Sequence, residues 1–156
     1  MIKRELIYLD QEYSGREQVL RKLCQDGYEF GVISNADIFM EAVMERERDL
    51  PTSIGFNVSI PHGKSEFVRE PFISFMRTKM PFIWDQKNNE NTKLIFLIGV
   101  PMEQKNTLHL KILANISKKL LNEEFRDILD ESSSKEIIYK LLKSIEEETT
   151  KGGENK

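Results

Sequence analysis

Leu94-Ile-Phe-Leu-Ile-Gly-Val100 follows Lys93 as a run with no polar side chain. A strand with one face in water alternates apolar and polar residues, so an unbroken run suits a strand covered on both faces. Such a strand needs helices to cover it, and the flanking sequence supplies them. Beyond Gly99 and Pro101 the period becomes helical, with Leu113, Ile116 and Leu120 in a stripe and Ile112 beside it. Phe125, Ile128 and Leu129 predict a short helix. Ser132–Ser134 then start a last one carrying Ile137, Ile138, Leu141, Leu142 and Ile145.

Upstream of the run, polar Asp85–Thr92 reads as a turn or loop and Phe72–Arg77 as a strand. Phe, Val and Ile alternate with Asn and Ser from Phe56 to Ile60, which predicts a half-buried strand ending at Pro61. Ser34-x-x-Asp37 marks the start of a helix over Asn35–Asp49, stopped by Pro51. An earlier helix after Ser14 shows Val19, Leu20 and Leu23 on one face and breaks at Gly27, and Leu6–Leu9 predicts a short first strand. The pattern is α/β, with helices packed on a mostly buried sheet. One domain is expected over residues 1–148, followed by a flexible polar tail over 149–156.

Composition excludes several classes of function. The net charge of −3 offers no electrostatic footprint for nucleic acid or an anionic membrane. No apolar run approaches the roughly 20 residues that span a bilayer, and the acidic turn of the N-terminal segment does not fit a secretory signal. The expected location is cytoplasmic. Cys24 is the only cysteine, so no internal disulfide forms, and no Cys/His cluster suggests a metal. Its place beside Leu20 and Leu23 predicts a buried, inert thiol.

Three residues stand out. His62 lies between Pro61 and Gly63 just past a predicted strand end, where open α/β sheets bind ligands. Gly63 leaves room on one flank for a partner's backbone, or for backbone N–H groups to meet an anion. A surface turn histidine is the plainer alternative. Arg46 falls among Phe39, Ala42, Val43 and Leu50 on one helical face, where an unpaired charge is costly. It either reaches out at the helix end, pairs with a carboxylate, or awaits an anion suited to its planar donor fork. His109 heads the stripe of Leu113, Ile116 and Leu120 in the first turn of its helix. That turn favours negative ligands, although a histidine that merely caps the helix fits as well. Converging at one sheet edge, the three suit a phosphoryl relay. A neutral imidazole is the nucleophile, and its unperturbed pKa of about 6.5 leaves much of it neutral near pH 7.

Arg46-Glu-Arg48, Pro51-Thr-Ser-Ile-Gly55 and Val58-Ser-Ile-Pro-His-Gly-Lys64 resemble the signature of a known family. It is that of the fructose/mannitol/galactitol-type enzyme IIA domains of the bacterial phosphoenolpyruvate-dependent sugar phosphotransferase system. The likeness continues through Pro71–Arg77, the LIFLIGVP stretch and Leu108–Leu113. It implies a mixed β-sheet with helices on both faces, and no metal or organic cofactor. It implies that His62 takes a phosphoryl group from the phosphocarrier HPr and passes it to a IIB domain, with Arg46 and His109 in support. The chain would be a free-standing soluble subunit that reaches the membrane component IIC only through IIB. Asn57-Val-Ser59 departs from the family's Gly and Ala, and Leu50-Pro-Thr-Ser-Ile54 leans towards galactitol-type members. The alternative is a regulatory IIA-like protein of the nitrogen-related kind, whose phosphorylation controls a partner. A hydrolase fits less well, because a carrier must keep water from its phosphohistidine.

Overall fold

The apolar run lies in the middle of a sheet, as its composition requires. The computed structural model describes residues 1–103 and 107–154, with the backbone alone at 108, 109 and 150–154. In chain order the elements are β1 (Ile2–Gln11), α1 (Arg16–Phe30), α2 (Ala36–Asp49), β2 (Ser53–Gly55), β3 (Val58–Ser59) and β4 (His62–Ser65). Then come β5 (Phe72–Asp85), β6 (Glu90–Pro101), α3 (Leu108–Lys119), α4 (Glu123–Glu131) and α5 (Lys135–Glu154). The sheet runs β1-β5-β6-β3-β2, with β4 also paired to β6. Strands β1 and β5 are parallel, as are β6 and both β3 and β4, whereas β5–β6 and β2–β3 are antiparallel. The sheet is therefore mixed.

Side-chain alternation along β6 divides the core. Leu94, Phe96, Ile98 and Val100 join Ile112, Ile116 and Leu120 of α3, Phe125 and Leu129 of α4, and Ile138, Leu142 and Ile145 of α5. Ile95 and Leu97 join Val19, Leu20 and Leu23 of α1 and Phe39 and Val43 of α2. Each such side chain contributes about 1.5–3 kcal/mol when fully removed from water. Helices thus cover both faces, as the apolar run demands. Arg77 is buried at the end of the α4 side, where it donates to Asp10 (3.0 Å) and to the Leu129 carbonyl (2.9 Å) near the end of α4.

Strands β3 and β4 follow one another along the same side of β6. Val58 and Ser59 face Leu94 and Ile95, and His62 to Ser65 face Ile98 to Pro101. Between them Pro61 cannot donate to the ladder, though its carbonyl still accepts from Ile98 N (3.0 Å). His62 therefore opens a new strand segment, where the sequence predicts a loop residue. The expected strand over Phe56–Ile60 is shorter too. Phe56 and Asn57 have φ of 56° and 59° and form the two-residue turn of the β2–β3 hairpin. Phe at positive φ breaks the usual preference, so alternation misread a turn as a strand. The turn is tied down by the Asn57 carbonyl, which accepts from Lys93 N (2.8 Å) and Leu94 N (2.9 Å).

Other boundaries move for local reasons. Helix α1 passes through Gly27, because Ile33 packs where a β-carbon would stand, and ends instead at Gly31 with φ 99°. Asn35, one residue after Ser34, caps α2 by accepting from Ile38 N (3.0 Å). Leu50 ends α2 exposed, off the apolar face expected for it. Strand β5 continues past Arg77, with a register shift before Phe82, and β1 extends to both sides of Leu6–Leu9. Helix α5 crosses the expected domain boundary at 149. Thr149 is buried there, accepting from Asn115 Nδ2 (2.7 Å) and donating to the Ile145 carbonyl (2.9 Å).

Candidate phosphoryl-transfer site

Gly63 decides how close α2 comes to the sheet edge. A β-carbon there would sit 2.9 Å from Val43 Cγ2 and 3.2 Å from Phe39 Cε1. The glycine of the Pro-His-Gly element thus serves helix packing. The room it creates, expected to receive a partner's backbone, is filled by α2. Its ladder neighbour Gly99 is likewise required, since a β-carbon there would lie 2.2 Å from Phe72.

This close packing brings α2 residues to His62. Ala42, Arg46, His62, Gly63 and Lys64 line a pocket of about 260 Å³. A hollow of about 310 Å³ beside Tyr13 and Met80 has neither histidine nor arginine in its lining. Half-buried Arg46 donates from Nη1 to the Leu50 carbonyl (2.7 Å) at the end of α2. That bond joins two of the roles open to it, because the side chain turns out at the helix end and its guanidinium still walls the pocket. The negative end of the helix dipole favours a cation there.

His62 is also half-buried, and its Nδ1 lies 2.9 Å from the Ile60 carbonyl. A carbonyl can only accept, so in the neutral ring this contact selects the tautomer with the proton on Nδ1 and the lone pair on Nε2. His109 stands in the first turn of α3, as the sequence predicts, and its side chain lies outside the described residues. Its helix follows β6, whose last residue Pro101 pairs with Ser65 of β4. Three exposed apolar residues stand on the segments that carry the site. Leu50 ends α2, Met102 bonds through its N–H to the Ser65 carbonyl, and Leu110 lies in the first turn of α3. Among the described residues no group of acidic, histidine and cysteine side chains could hold a metal ion.

A family model described as the phosphoenolpyruvate-dependent sugar phosphotransferase system, EIIA 2, matches residues 1–145. The chain belongs to this family. An EIIA type-2 domain is a phosphotransferase component of the sugar phosphotransferase system. The "PTS system fructose-specific EIIA component" of Haloferax volcanii is 31% identical over 143 residues, covering 92% of each chain. "Multiphosphoryl transfer protein 1" of Escherichia coli is 31% identical over 144 residues, 92% of this chain but only 17% of that protein. Among solved structures, the nitrogen regulatory protein IIA-Ntr of Neisseria meningitidis gives a TM-score of 0.81 at 26% identity, covering 90% of this chain and 95% of that one. The mannitol IIA of Escherichia coli, in complex with phosphorylated IIB, gives 0.77 at 17% identity, covering 92% and 99%, and supports the shared fold.

Sequence reading missed the buried charge of this EIIA domain. Glu47, and not Arg46, continues the line of Phe39 and Val43 into the core, and it is 1% exposed. Its carboxylate accepts from Thr52 N (3.2 Å), Thr52 Oγ1 and Trp84 Nε1 (3.2 Å), with Arg16 Nη1 at 3.8 Å. The signal was the four-residue spacing of 39, 43 and 47, which Arg46 does not share. Cys24 is buried as expected, and burial pushes its thiol up to about 12.

Proposed function

We propose that His62 is the phosphorylated nucleophile of this EIIA domain, charged by phospho-HPr and discharged onto a IIB domain. The observation that carries the reading is the bond from His62 Nδ1 to the Ile60 carbonyl, within a pocket walled by Arg46. The Nε2 lone pair forms the new N–P bond while the P–N bond of the donor's phosphohistidine breaks. The donor ring, protonated on its other nitrogen, keeps that electron pair and leaves as a neutral imidazole. Nδ1 holds its proton throughout, so the step needs no proton transfer.

The transferred phosphoryl group has a loose, highly charged transition state, so positioning and electrostatics supply most of the catalysis. Arg46 offers its donor fork to the equatorial oxygens, and His109 in the first turn of α3 takes the supporting role that the family resemblance implies. The exposed Leu50, Met102 and Leu110 form an apolar rim that HPr and IIB cover in turn. That cover keeps water from the bond during transfer.

The relay operates in the cytoplasm and reaches the membrane component only through IIB. Among the described residues no helix is long and apolar enough to cross a membrane. The fructose-specific and fructose-like names of its relatives favour a fructose-type IIB as acceptor over a galactitol-type one.

The test is labelling with radioactive phosphoenolpyruvate, enzyme I and HPr, followed by mass-spectrometric location of the phosphoryl group. Wild-type protein should label on His62 alone, and His62→Ala should not label while keeping its native circular dichroism. Labelling of a folded His62→Ala at the wild-type rate refutes the assignment. Labelled protein should be stable alone and discharge onto a fructose-type IIB. Rapid release of inorganic phosphate would mean hydrolysis, and stability without any IIB acceptor would mean a regulatory role.

A further inference from the structure

A buried carboxylate next to a phosphoryl-transfer site needs a physical account. Removing a carboxylate from water costs several kcal/mol unless hydrogen bonds replace its hydration, and an apolar residue of similar size is often tolerated as well. Glu47 receives those bonds from two directions. Trp84 Nε1 belongs to β5, whereas Thr52 supplies both its backbone N–H and its hydroxyl from the segment leaving α2. Thr52 is itself buried. The carboxylate therefore pins the start of the β2–β3 hairpin to the core.

That pin leads to the nucleophile through two further bonds. The Thr52 carbonyl accepts from Ile60 N (3.1 Å), and the Ile60 carbonyl faces His62 Nδ1 (2.9 Å). Between Ile60 and His62 stands Pro61, with its fixed φ and a carbonyl held by Ile98 N (3.0 Å). The direction of the Ile60 carbonyl is thus set by Thr52 on one side and by the proline on the other. We propose that Glu47 is a positioning residue for phosphoryl transfer, holding His62 in the Nδ1–H tautomer through Thr52 and Ile60. With the anchor removed, the Ile60 carbonyl turns from Nδ1. The ring then exchanges tautomers, and part of the population presents a protonated Nε2 that cannot attack phosphorus. The inference rests on the reading of His62 as nucleophile.

Glu47→Ala removes the anchor, whereas Glu47→Gln retains most of it. The glutamine carbonyl can accept from Thr52 N and Trp84, with its amide donating to the Thr52 hydroxyl, which can rotate to accept. Long-range proton–nitrogen NMR of the unphosphorylated full chain, at a pH where the ring is neutral, reads the His62 tautomer directly. Wild type and Glu47→Gln should show Nδ1–H. Folded Glu47→Ala should show a tautomer mixture and label from phospho-HPr about tenfold more slowly, the effect of about one hydrogen bond. A folded Glu47→Ala that keeps the Nδ1–H tautomer overturns the proposal, whatever its rate. If that variant does not fold, Thr52→Val decides, since it removes only the hydroxyl anchor. A partial tautomer shift supports the proposal, and an unchanged tautomer and rate overturn it. Should wild-type protein take no label, the reading of His62 fails, while the tautomer measurement needs no donor and still tests Glu47.

Discussion

Gly63→Ala tests whether the spacing between α2 and the sheet edge sets the rate of transfer. The added β-carbon meets Val43 Cγ2 at 2.9 Å and Phe39 Cε1 at 3.2 Å. Carbon atoms pack best at about 3.5–4.0 Å, so α2 must withdraw by roughly 0.6–1 Å. Overpacking of this size costs about 1–3 kcal/mol. For a chain of this length the melting temperature should fall by roughly 3–10 °C. Withdrawal carries Arg46 with it, and a displacement near 1 Å at a reacting site costs up to about a hundredfold in rate. The assay is the initial rate of labelling by phospho-HPr beside a calorimetric melting curve. Adding Val43→Ala deletes the clashing methyl and should restore much of the rate. It should not restore stability, because the lost methyls themselves cost about 1.5 kcal/mol or more. Separation of the two readouts is the signature of a spacing effect. Wild-type rate in folded Gly63→Ala, or a double variant as slow as the single one, would refute the argument.

Arg46→Ala should slow labelling by about one to two orders of magnitude, matching the loss of a charge-assisted contact of about 1.5–3 kcal/mol. His109→Ala should show a loss of the same order, and wild-type kinetics in either variant would reduce that residue to a structural one. Cys24 should resist thiol reagents in the native protein at pH 8, because burial raises its thiol to about 12 and leaves little thiolate there. Its reactivity should appear only on unfolding, which a timed reaction with and without denaturant would show. Truncation after Glu148 removes Thr149 and its bond to Asn115, and should lower the melting temperature by a few degrees while leaving labelling intact. An unchanged melting curve would mean that this docking contributes nothing.

The fold was legible where burial and period agree. A strand covered on both faces has no polar residue to show, and Leu94–Val100 has none. The stripes at Ile112, Ile116 and Leu120 and at Ile138, Leu142 and Ile145 each pack on the same side of that strand. The failures share a different cause. Phe56 has the chemistry of a strand residue but stands in a turn at positive φ, held by tertiary bonds from β6 to the Asn57 carbonyl. Gly27 looks like a break but sits inside a helix, because Ile33 occupies the space beside it. Thr149 looks like the start of a polar tail, and its hydroxyl finds Asn115 across a helix interface. In each case a contact distant in sequence overrode a local preference.

The candidate site was read from its rare residues, of which the structure brings His62 and Arg46 to one pocket, and the α2 face was misread by one helical position. Placing Arg46 at the centre of the α2 stripe left it to reach out at the helix end, pair with a carboxylate or await an anion. The four-residue step from Phe39 and Val43 puts Glu47 in the core, and leaves Arg46 on the flank with Ala42, facing the pocket of His62. The two neighbours therefore divide the work. A carboxylate in the core can be satisfied permanently by donors of the fold, and Thr52 and Trp84 provide them. On the proposed reading, a guanidinium whose phosphoryl partner arrives and leaves must stay near solvent, secured by a bond it can keep in both states, such as that to the Leu50 carbonyl. Exchanging the two charges would reverse this arrangement. An arginine at 47 would meet the donors of Thr52 and Trp84, and a glutamate at 46 would repel the phosphoryl group. The Arg46→Glu, Glu47→Arg double variant should therefore lose both stability and labelling, although composition and net charge stay the same.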